Sequence, residues 1–439
     1  MSNLATTYNS RFFSHIPHDW SLQPLKTLVR EGKKITYGIV QPGKYDPDGV
    51  MLIRGQDYMN GWVDKEKYFK VSPKLHKKFK RSTTSAGDVL LSIAGYTGSV
   101  AIVPEWIKEA NLTQTTARIS CDTGILDARY LSYFLQCDDG RLQSRRYTKG
   151  SAQEGLNLED IERFFVSIPP LPEQQKIAAI LSSVDDVIEK TQAQIDKLKD
   201  LKTGIMQELL SPREGQAANK NSSQGESKNS LHHTEFKDSP LGRIPVEWEY
   251  LTLRKVVEFS QGIQVDLEMQ SSEPFNGSVP FIRIENYTQR SKDIRHIDTR
   301  LSRDKFINSE DIVLVRYGAT AGFVGRGIEG VLANNLFQVK PNEDKLTKDF
   351  LYLVLLDAYK TFQLIMSGGA MPALNFKMVG DLELVVPPIE EQCKITNVFQ
   401  SINDKETAVL EKLSSLKNIK KALMQDLLTG KVRVKVDAA

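Results

Sequence analysis

Lys74, Lys77, Lys78, Lys80 and Arg81 put five positive charges within eight residues, with Phe79 among them and Lys65, Lys67 and Lys70 just upstream. Such a stretch suits contact with nucleic-acid phosphates. A solvated basic face has the same composition, so the cluster alone leaves both readings open. A looser run follows in the second half: Arg290, Lys292, Arg295, Arg300, Arg303 and Lys305. Each run precedes a similar apolar string, Gly87-Asp88-Val89-Leu90-Leu91 or Glu310-Asp311-Ile312-Val313-Leu314. The loops after these strings carry Tyr96 and Thr97 in one case, Arg316 and Tyr317 in the other. Side chains of these types reach base edges, and Arg suits guanine. Gln114, Asn334 and Asn335 suit adenine by paired hydrogen bonds, and equally cap turns. Arg54 and Arg283 stand at matching places after short apolar runs and complete the candidates.

No catalytic constellation accompanies them. The chain has no GxxxxGK[ST] phosphate loop, no HExxH and no Cys/His metal spacing. His232-His233 reads as solvated connector. Gly95-Tyr96-Thr97-Gly98 reads as a strand-ending turn, since no GxGxxG fingerprint or acidic ribose partner follows. The Asn/Asp-Pro-Pro-aromatic tetrapeptide with which amino-methyltransferases hold a flipped base is also missing, because Pro169-Pro170-Leu171 lacks both the amide and the aromatic.

The elements that position these residues come in two copies. Lys149 to Leu210 aligns without a gap onto Ser367 to Leu428, at an offset of 218. Pro169-Pro170-Leu171-Pro172-Glu173-Gln174-Gln175-Lys176-Ile177 reappears as Pro387-Pro388-Ile389-Glu390-Glu391-Gln392-Cys393-Lys394-Ile395. Upstream the match is looser: Ile16-Pro17-His18-Asp19-Trp20 pairs with Ile244-Pro245-Val246-Glu247-Trp248. A chain of 439 residues has room for two domains with connectors. A duplicated chain suggests a target that also comes in two halves.

Each half has a globular part and a helical tail. Val50–Ile53, 279–284, 89–93 and Ile312–Val315 have strand length and β-branched content, while 127–142 and 347–366 read as helices. In the first tail the 4,3,4,3 spacing gives Ile177, Leu181, Val184, Ile188, Thr191, Ile195, Leu198, Lys202, Ile205 and Leu209. The second gives Ile395, Phe399, Ile402, Glu406, Val409, Leu413, Leu416, Lys420, Leu423 and Leu427. A 3.5-residue period held over several heptads is a coiled-coil seam. Matched seams in matched copies suggest that the two helices, each roughly 57 Å long, pack on each other. Leu201 and Ile419, beside the two seam lysines, could swing toward the seam. Ser211 to Ser239, rich in Ser, Asn, Gln, Lys and Gly, reads as a flexible connector.

The net charge of +3 and 40% hydrophobic content fit a soluble globular chain, and do not by themselves announce a nucleic-acid binder. The three cysteines lie far apart, which fits a reducing cytosol. The longest apolar runs are far short of the roughly 20 residues that span a bilayer. A cytoplasmic protein without membrane association is expected.

These strings resemble the specificity subunit of type I restriction–modification systems. The marks are Ile168 to Ile177 leading into a heptad helix, its second copy from Val386, and the Phe236 to Trp248 lead-in to the second globular part. The resemblance covers nearly the whole chain. It implies an α+β, pseudo-twofold tandem repeat: two mixed α/β target recognition domains separated by two long helices packed as an antiparallel coiled coil. The expected bounds are 1–168 and 240–386 for the recognition domains, 169–210 and 387–430 for the helices, and 211–239 for the linker. The resemblance further implies a non-catalytic subunit on double-stranded DNA with a bipartite site. Each domain reads one half, and the helices set the unread spacer and dock two modification subunits. No cofactor is expected in this chain. S-adenosylmethionine belongs to the adenine-methylating modification partner. ATP and magnesium belong to motor-nuclease restriction subunits that join through the modification subunits. A self-sufficient enzyme and a scaffold that binds only protein are the competing readings.

Overall fold

The computed structural model describes residues 16–148, 155–210, 233–302, 305–366 and 372–435, and the backbone but not the side chains of 207–209. The chain divides into two compact units, Met1–Ala193 with Leu410–Ala439, and Gln194–Val409.

In the first unit Val89–Ser92 is the hub. It pairs antiparallel with Val100–Ile102 on one side and Thr116–Ile119 on the other, and Thr36–Tyr37 adds an edge. Successive side chains face opposite ways along a strand. Val89 and Leu91 therefore join the core beneath the helices, with Tyr130, Leu131 and Phe134, while Leu90 joins Ile53, Tyr58 and Tyr68 on the other face. Val50–Ile53 centres a second sheet, antiparallel to Phe69–Val71 and parallel to Asn111–Leu112. A ladder of Ser21–Pro24 on Phe165–Ile168 closes the base.

The second unit repeats the plan. Ile312–Val315 lies between Val324–Gly325 and Leu336–Pro341, with Val257–Gln261 at the edge. Ser278–Ile282 pairs with Arg295–Asp298 and runs parallel to Gly330–Leu332, to which Phe306–Ile307 adds an edge. Glu249–Thr252 on Glu383–Val386 repeats the basal ladder. The strand expected at 279–284 stops at Ile282, because Arg283 N–H donates to Asn286 Oδ1 at 2.8 Å and opens a short helix, Ile284–Thr288.

The helix expected over 347–366 runs Lys348–Met366. Its partner expected over 127–142 is instead two helices, Ala128–Gln136 and Asp138–Tyr147, divided at Cys137 (φ −73°, ψ 172°). Close packing explains the bend: a Cβ on Gly140 would lie 2.2 Å from Phe134 O. Asp138 in the new first turn favours the restart.

The tails are helices Leu171–Leu210 and Ile389–Leu428, of 40 residues each. Ile177, Leu181, Ile195, Ile395, Phe399, Ile402, Leu413 and Leu427 are buried; Val184, Ile188, Leu198, Ile205, Val409, Leu416 and Leu423 are partly so. Burying such a side chain contributes about 1.5–3 kcal/mol. The packing is antiparallel within each unit. In the first, Leu427 and Leu428 join Ile177, Ala178 and Leu181; in the second, Ile205, Met206 and Leu210 join Ile395 and Phe399.

Four polar seam positions, Thr191, Lys202, Glu406 and Lys420, find partners. Thr191 Oγ1 donates to Val187 O at 2.7 Å. Lys420 Nζ meets Asp185 Oδ1 at 2.6 Å, and Lys202 Nζ meets Glu406 Oε2 at 3.7 Å. Leu201 and Ile419 do not swing inward; each is 50% exposed. The lysines keep the seam positions by laying their methylene stems along it and holding their ammonium groups at its edge.

The helix starts are anchored in the same way twice. The buried Gln174 side chain accepts from Asp127 N–H (2.9 Å) and donates to Ile125 O (2.8 Å) and Pro169 O (2.9 Å). Gln392 accepts from Thr347 N–H and donates to Lys345 O and Pro387 O, each at 2.8 Å. Beside them, Trp20 Nε1 donates to Glu173 Oε2 and Trp248 Nε1 to Glu391 Oε2, at 3.2 and 3.0 Å.

The connector expected over 211–239 falls mostly on 211–232, outside the described residues. Beyond it Phe236–Lys237 pairs with Ile244–Pro245, and Lys237 Nζ donates to Val246 O at 2.8 Å.

Candidate nucleic-acid interface

Pro73–Lys78 is a short helix with Ser72 as its N-cap, Oγ accepting from Leu75 N–H at 3.3 Å. Leu75 and Phe79, four residues apart, pack against Ile39, Leu52 and Val71. That choice of face turns Lys74, Lys77 and Lys78 outward, and Lys80 and Arg81 follow in an exposed turn. All five charges of the first cluster are thus open to solvent on one continuous segment.

A fully buried arginine fixes that segment. Arg118 Nη1 donates to Arg81 O (3.0 Å) and Thr83 O (2.6 Å), and Nη2 donates to Lys34 O (3.0 Å). Burial pulls its pKa down, partly offset by Asp88 nearby. Asp88 accepts from Ser120 Oγ (2.5 Å), Thr84 Oγ1 (3.0 Å) and Ser85 N–H (2.9 Å), which fixes the turn after the cluster. Asn111 Nδ2 holds Phe79 O at 3.2 Å. Arg118, Asp88 and Asn111 were not among the candidates. The available signals were an arginine inside an otherwise apolar strand and the Asp common to both copies.

In the second unit the basic residues are divided by a strand. Arg290 and Lys292 are exposed and precede Arg295–Asp298; Arg290 takes a left-handed turn at φ 52°. Arg295 lies on that strand, partly buried, with Nε 3.9 Å from Asp293 Oδ2. By topology the place of Lys74–Arg81 falls after the strand, at Thr299–Ser302 and beyond. There Arg300 pairs with Asp298 and Lys305 Nζ meets Ser260 Oγ at 3.0 Å. Arg303 lies outside the described residues. Only the later residues of the second run, Arg300 and Lys305, stand at the place of Lys74–Arg81, while Arg290, Lys292 and Arg295 do not.

Arg54 and Arg283 occupy equivalent positions and both are internally paired. Arg54 holds Asp57 through two bonds, of 3.1 and 2.8 Å, while its own N–H donates to Asp57 Oδ2 at 2.9 Å. Arg283 lies 2.9 Å from Glu285 and 3.3 Å from Asp293. Their first task is to cap the short turns that follow.

The turn at Gly95–Gly98 joins two strands, with Gly98 N–H on Ser92 O at 2.9 Å and left-handed φ at both glycines. It presents Tyr96, 45% exposed, with Thr97 beside it. Its counterpart presents Tyr317, with the Arg316 guanidinium 4.8 Å from its ring centre. Gln114 is exposed. Asn334 Nδ2 donates to Gln264 Oε1 at 3.1 Å, and the buried Oδ1 of Asn335 has no hydrogen-bond partner. Among the described residues no group of three or more His, Cys, Asp or Glu is placed to hold a metal, and no helix is long and apolar enough to cross a membrane.

The repeated sheet order, the paired helix anchors and the exposed cationic turns invite comparison with known proteins. A family model described as the type I restriction modification DNA specificity domain matches twice, over residues 25–200 and 245–419. The chain belongs to that family. It is 24% identical to the type I restriction enzyme MjaVIII specificity subunit of Methanocaldococcus jannaschii, over 96% of this chain and 94% of the relative. It is 30% identical to the EcoBI specificity subunit of Escherichia coli over 44% of this chain and 41% of that protein. A crystal structure of the type I system S subunit of M. genitalium covers 93% of this chain and 96% of its own, with TM-score 0.56 and 17% identity. The fold is therefore that of type I S subunits. The chain is a specificity subunit, the DNA-recognising and non-catalytic member of a type I restriction system.

Family membership recasts the strings that first suggested it. Glu173-Gln174 and Glu391-Gln392 face inward and tie each long helix to its globular part. The exposed turns, by contrast, carry unlike side chains in the two copies.

Proposed function

We propose that each globular part reads one half of a bipartite double-stranded DNA site, that the long helices set the unread spacer, and that they dock two modification subunits. The observation that carries this reading is one sheet order built twice, with unlike side chains on its exposed turns. Lys74, Lys77, Lys78, Lys80 and Arg81 are the candidates to contact phosphates, and Tyr96, Thr97, Gln114, Arg316, Tyr317, Asn334 and Asn335 are the candidates to read base edges. Arg290, Lys292 and Arg295 are the candidates on the second domain, with Arg54 and Arg283 acting behind them through the turns they cap. Two helices of 40 residues extend roughly 60 Å, which bounds the spacer at some 17 base pairs. The methyl donor S-adenosylmethionine belongs to the modification subunits, while ATP and magnesium belong to the restriction subunits that join through them. The complex works in the cytoplasm.

Methyl transfer tests the division of labour. The chain alone should transfer no methyl group, and adding its modification partner should methylate adenines at a split site. Turnover by the lone chain refutes the reading. Inserting one heptad in both helices adds about 10 Å, or about three base pairs. The recognised spacer should lengthen while the half-site bases stay the same; changed bases sink the ruler.

A further inference from the structure

The two units repeat one backbone frame and end it in unlike side chains. Gly38-Ile39-Val40 in the first unit and Gly262-Ile263-Gln264 in the second each run beside a turn, Leu112-Thr113-Gln114 or Leu332-Ala333-Asn334. Ile39 bridges Thr113 and Ile263 bridges Ala333, both in parallel. Ile39 N–H donates to Leu112 O at 2.6 Å, and Ile263 N–H to Leu332 O at 2.8 Å. The glycines permit this approach: a Cβ on Gly38 would collide with Leu112 O, and one on Gly262 with Leu332 O and Ala333 O. One step further along, the register sets Val40 beside Gln114 and Gln264 beside Asn334.

That last pair differs between the copies. In the first unit Val40 is 51% exposed, next to the exposed Gln114. In the second, Asn334 Nδ2 donates to Gln264 Oε1 at 3.1 Å, and Gln261 Nε2 donates to Asn334 O at 3.1 Å. The bond between the two amides leaves Gln264 Nε2 as a donor and Asn334 Oδ1 as an acceptor, neither with a partner among the described residues. Exchanging O and N in both amides leaves one donor and one acceptor all the same. Arg316 N–H donates to Asn335 O at 2.9 Å, which holds the Arg316-Tyr317 turn alongside.

We infer that Gln264 and Asn334 act as one couple that reads an adenine in the half-site of the second unit, which makes Gln264 a specificity-determining residue. Adenine presents an acceptor, N7, beside a donor, its N6 amino group, on the major-groove edge. Gln264 Nε2 suits the first and Asn334 Oδ1 the second. Guanine presents two acceptors there and leaves the Asn334 oxygen unpaired. The bond between the amides orders both side chains before DNA arrives, so less freedom is lost on binding. Asp266 and Glu268, exposed just beyond Gln264, disfavour a phosphate at this place. Val40 has no polar side-chain atom, so the first unit presents no such couple. The inference rests on the reading that each globular part takes one half-site.

The full chain with its modification partner is used to select duplexes from a randomised pool, and the bound sequences are read. The parent should select a split site with adenine at one position of one half. Gln264→Val and Asn334→Ala should each relax that same position about tenfold and leave every other position within about twofold. Replacing that adenine by 7-deazaadenine, which lacks the N7 acceptor, should weaken the parent about tenfold and Gln264→Val less than about twofold. The parent protein is unaltered in this arm, so fold loss plays no part in it. Relaxation at different positions by the two variants, even loss across all sequences, or parent binding that tolerates 7-deazaadenine overturns the inference. A split site that keeps every base after Gln264→Val overturns the inference alone. A parent that selects no split site overturns the bipartite reading, and the inference with it.

Discussion

Gln174→Glu is a nearly isosteric change that separates an anchoring role from a docking role for the repeated Glu-Gln pair. The Gln174 side chain is fully buried and makes three hydrogen bonds, accepting one and donating two. A carboxylate keeps the acceptor for Asp127 N–H but turns its second oxygen toward the Ile125 and Pro169 carbonyls. A protonated carboxyl restores one of the two donors, so the loss at low pH is about 1–2 kcal/mol. Ionisation adds the cost of a buried charge facing two carbonyl oxygens. The folded-state pKa therefore rises above the unfolded value of about 4.3. Native protein then binds more protons than unfolded protein, and stability falls as pH rises between the two values. With a shift of about two units, the deficit grows by about 3 kcal/mol and is complete above the raised folded pKa. Urea unfolding at pH 5 and pH 8 reads this directly, with Gln392→Glu as the replicate in the second unit. A deficit that does not grow from pH 5 to pH 8 refutes the account. Unchanged stability at both pH values would mean that the pair faces a partner and not the fold.

Neutralising Lys74, Lys77, Lys78, Lys80 and Arg81 should weaken DNA binding evenly across sequences. The log–log salt slope should flatten by up to about 0.9 per lost contact, and an unchanged slope returns the cluster to a solvated face. Gly204 lies within the first long helix with open space around its Cα, so Gly204→Ala should stabilise the chain by about 0.5–1 kcal/mol, read as a raised urea midpoint. Asp139 has its carboxyl pushed up to about 6, by burial first and by Asp138 second. Its contribution to stability is present below about pH 4 and lost as pH rises through 6, so Asp139→Asn should flatten the stability–pH profile there. A profile as steep as the parent's would place the titration elsewhere.

The helical tails were legible because heptad spacing is a geometric constraint visible in one dimension. Every seam position whose side chain is described is buried or half-buried, from Ile177 to Ile205 and from Ile395 to Leu427. The lysines in the seam were legible as exceptions, but their resolution was not. Pairing with Glu406 and Asp185 depends on the partner helix, which neighbouring residues do not reveal. The break at Cys137 was marked only locally, by Asp138-Asp139-Gly140, which are poor residues for a helix interior. The close contact between Gly140 and the carbonyl of Phe134 that goes with it is a matter of packing.

The candidate site divides along the same line. Exposure of the Lys74–Arg81 charges follows from local amphipathicity, since Leu75 and Phe79 must turn inward and the lysines outward. The groups that hold the segment come from afar: Arg118 reaches Arg81 and Thr83 across more than 30 positions of sequence. Arg54 and Arg283 show the converse. They matched in sequence because both copies need a capped turn at that point, a structural demand that internal repetition preserves as readily as a binding one. Matching between the halves therefore marks what the two folds share, as with the helix anchors. Under the proposed function, reading two different half-sites requires residues that do not match, and Tyr96-Thr97 against Arg316-Tyr317 is a place where the two copies present unlike side chains.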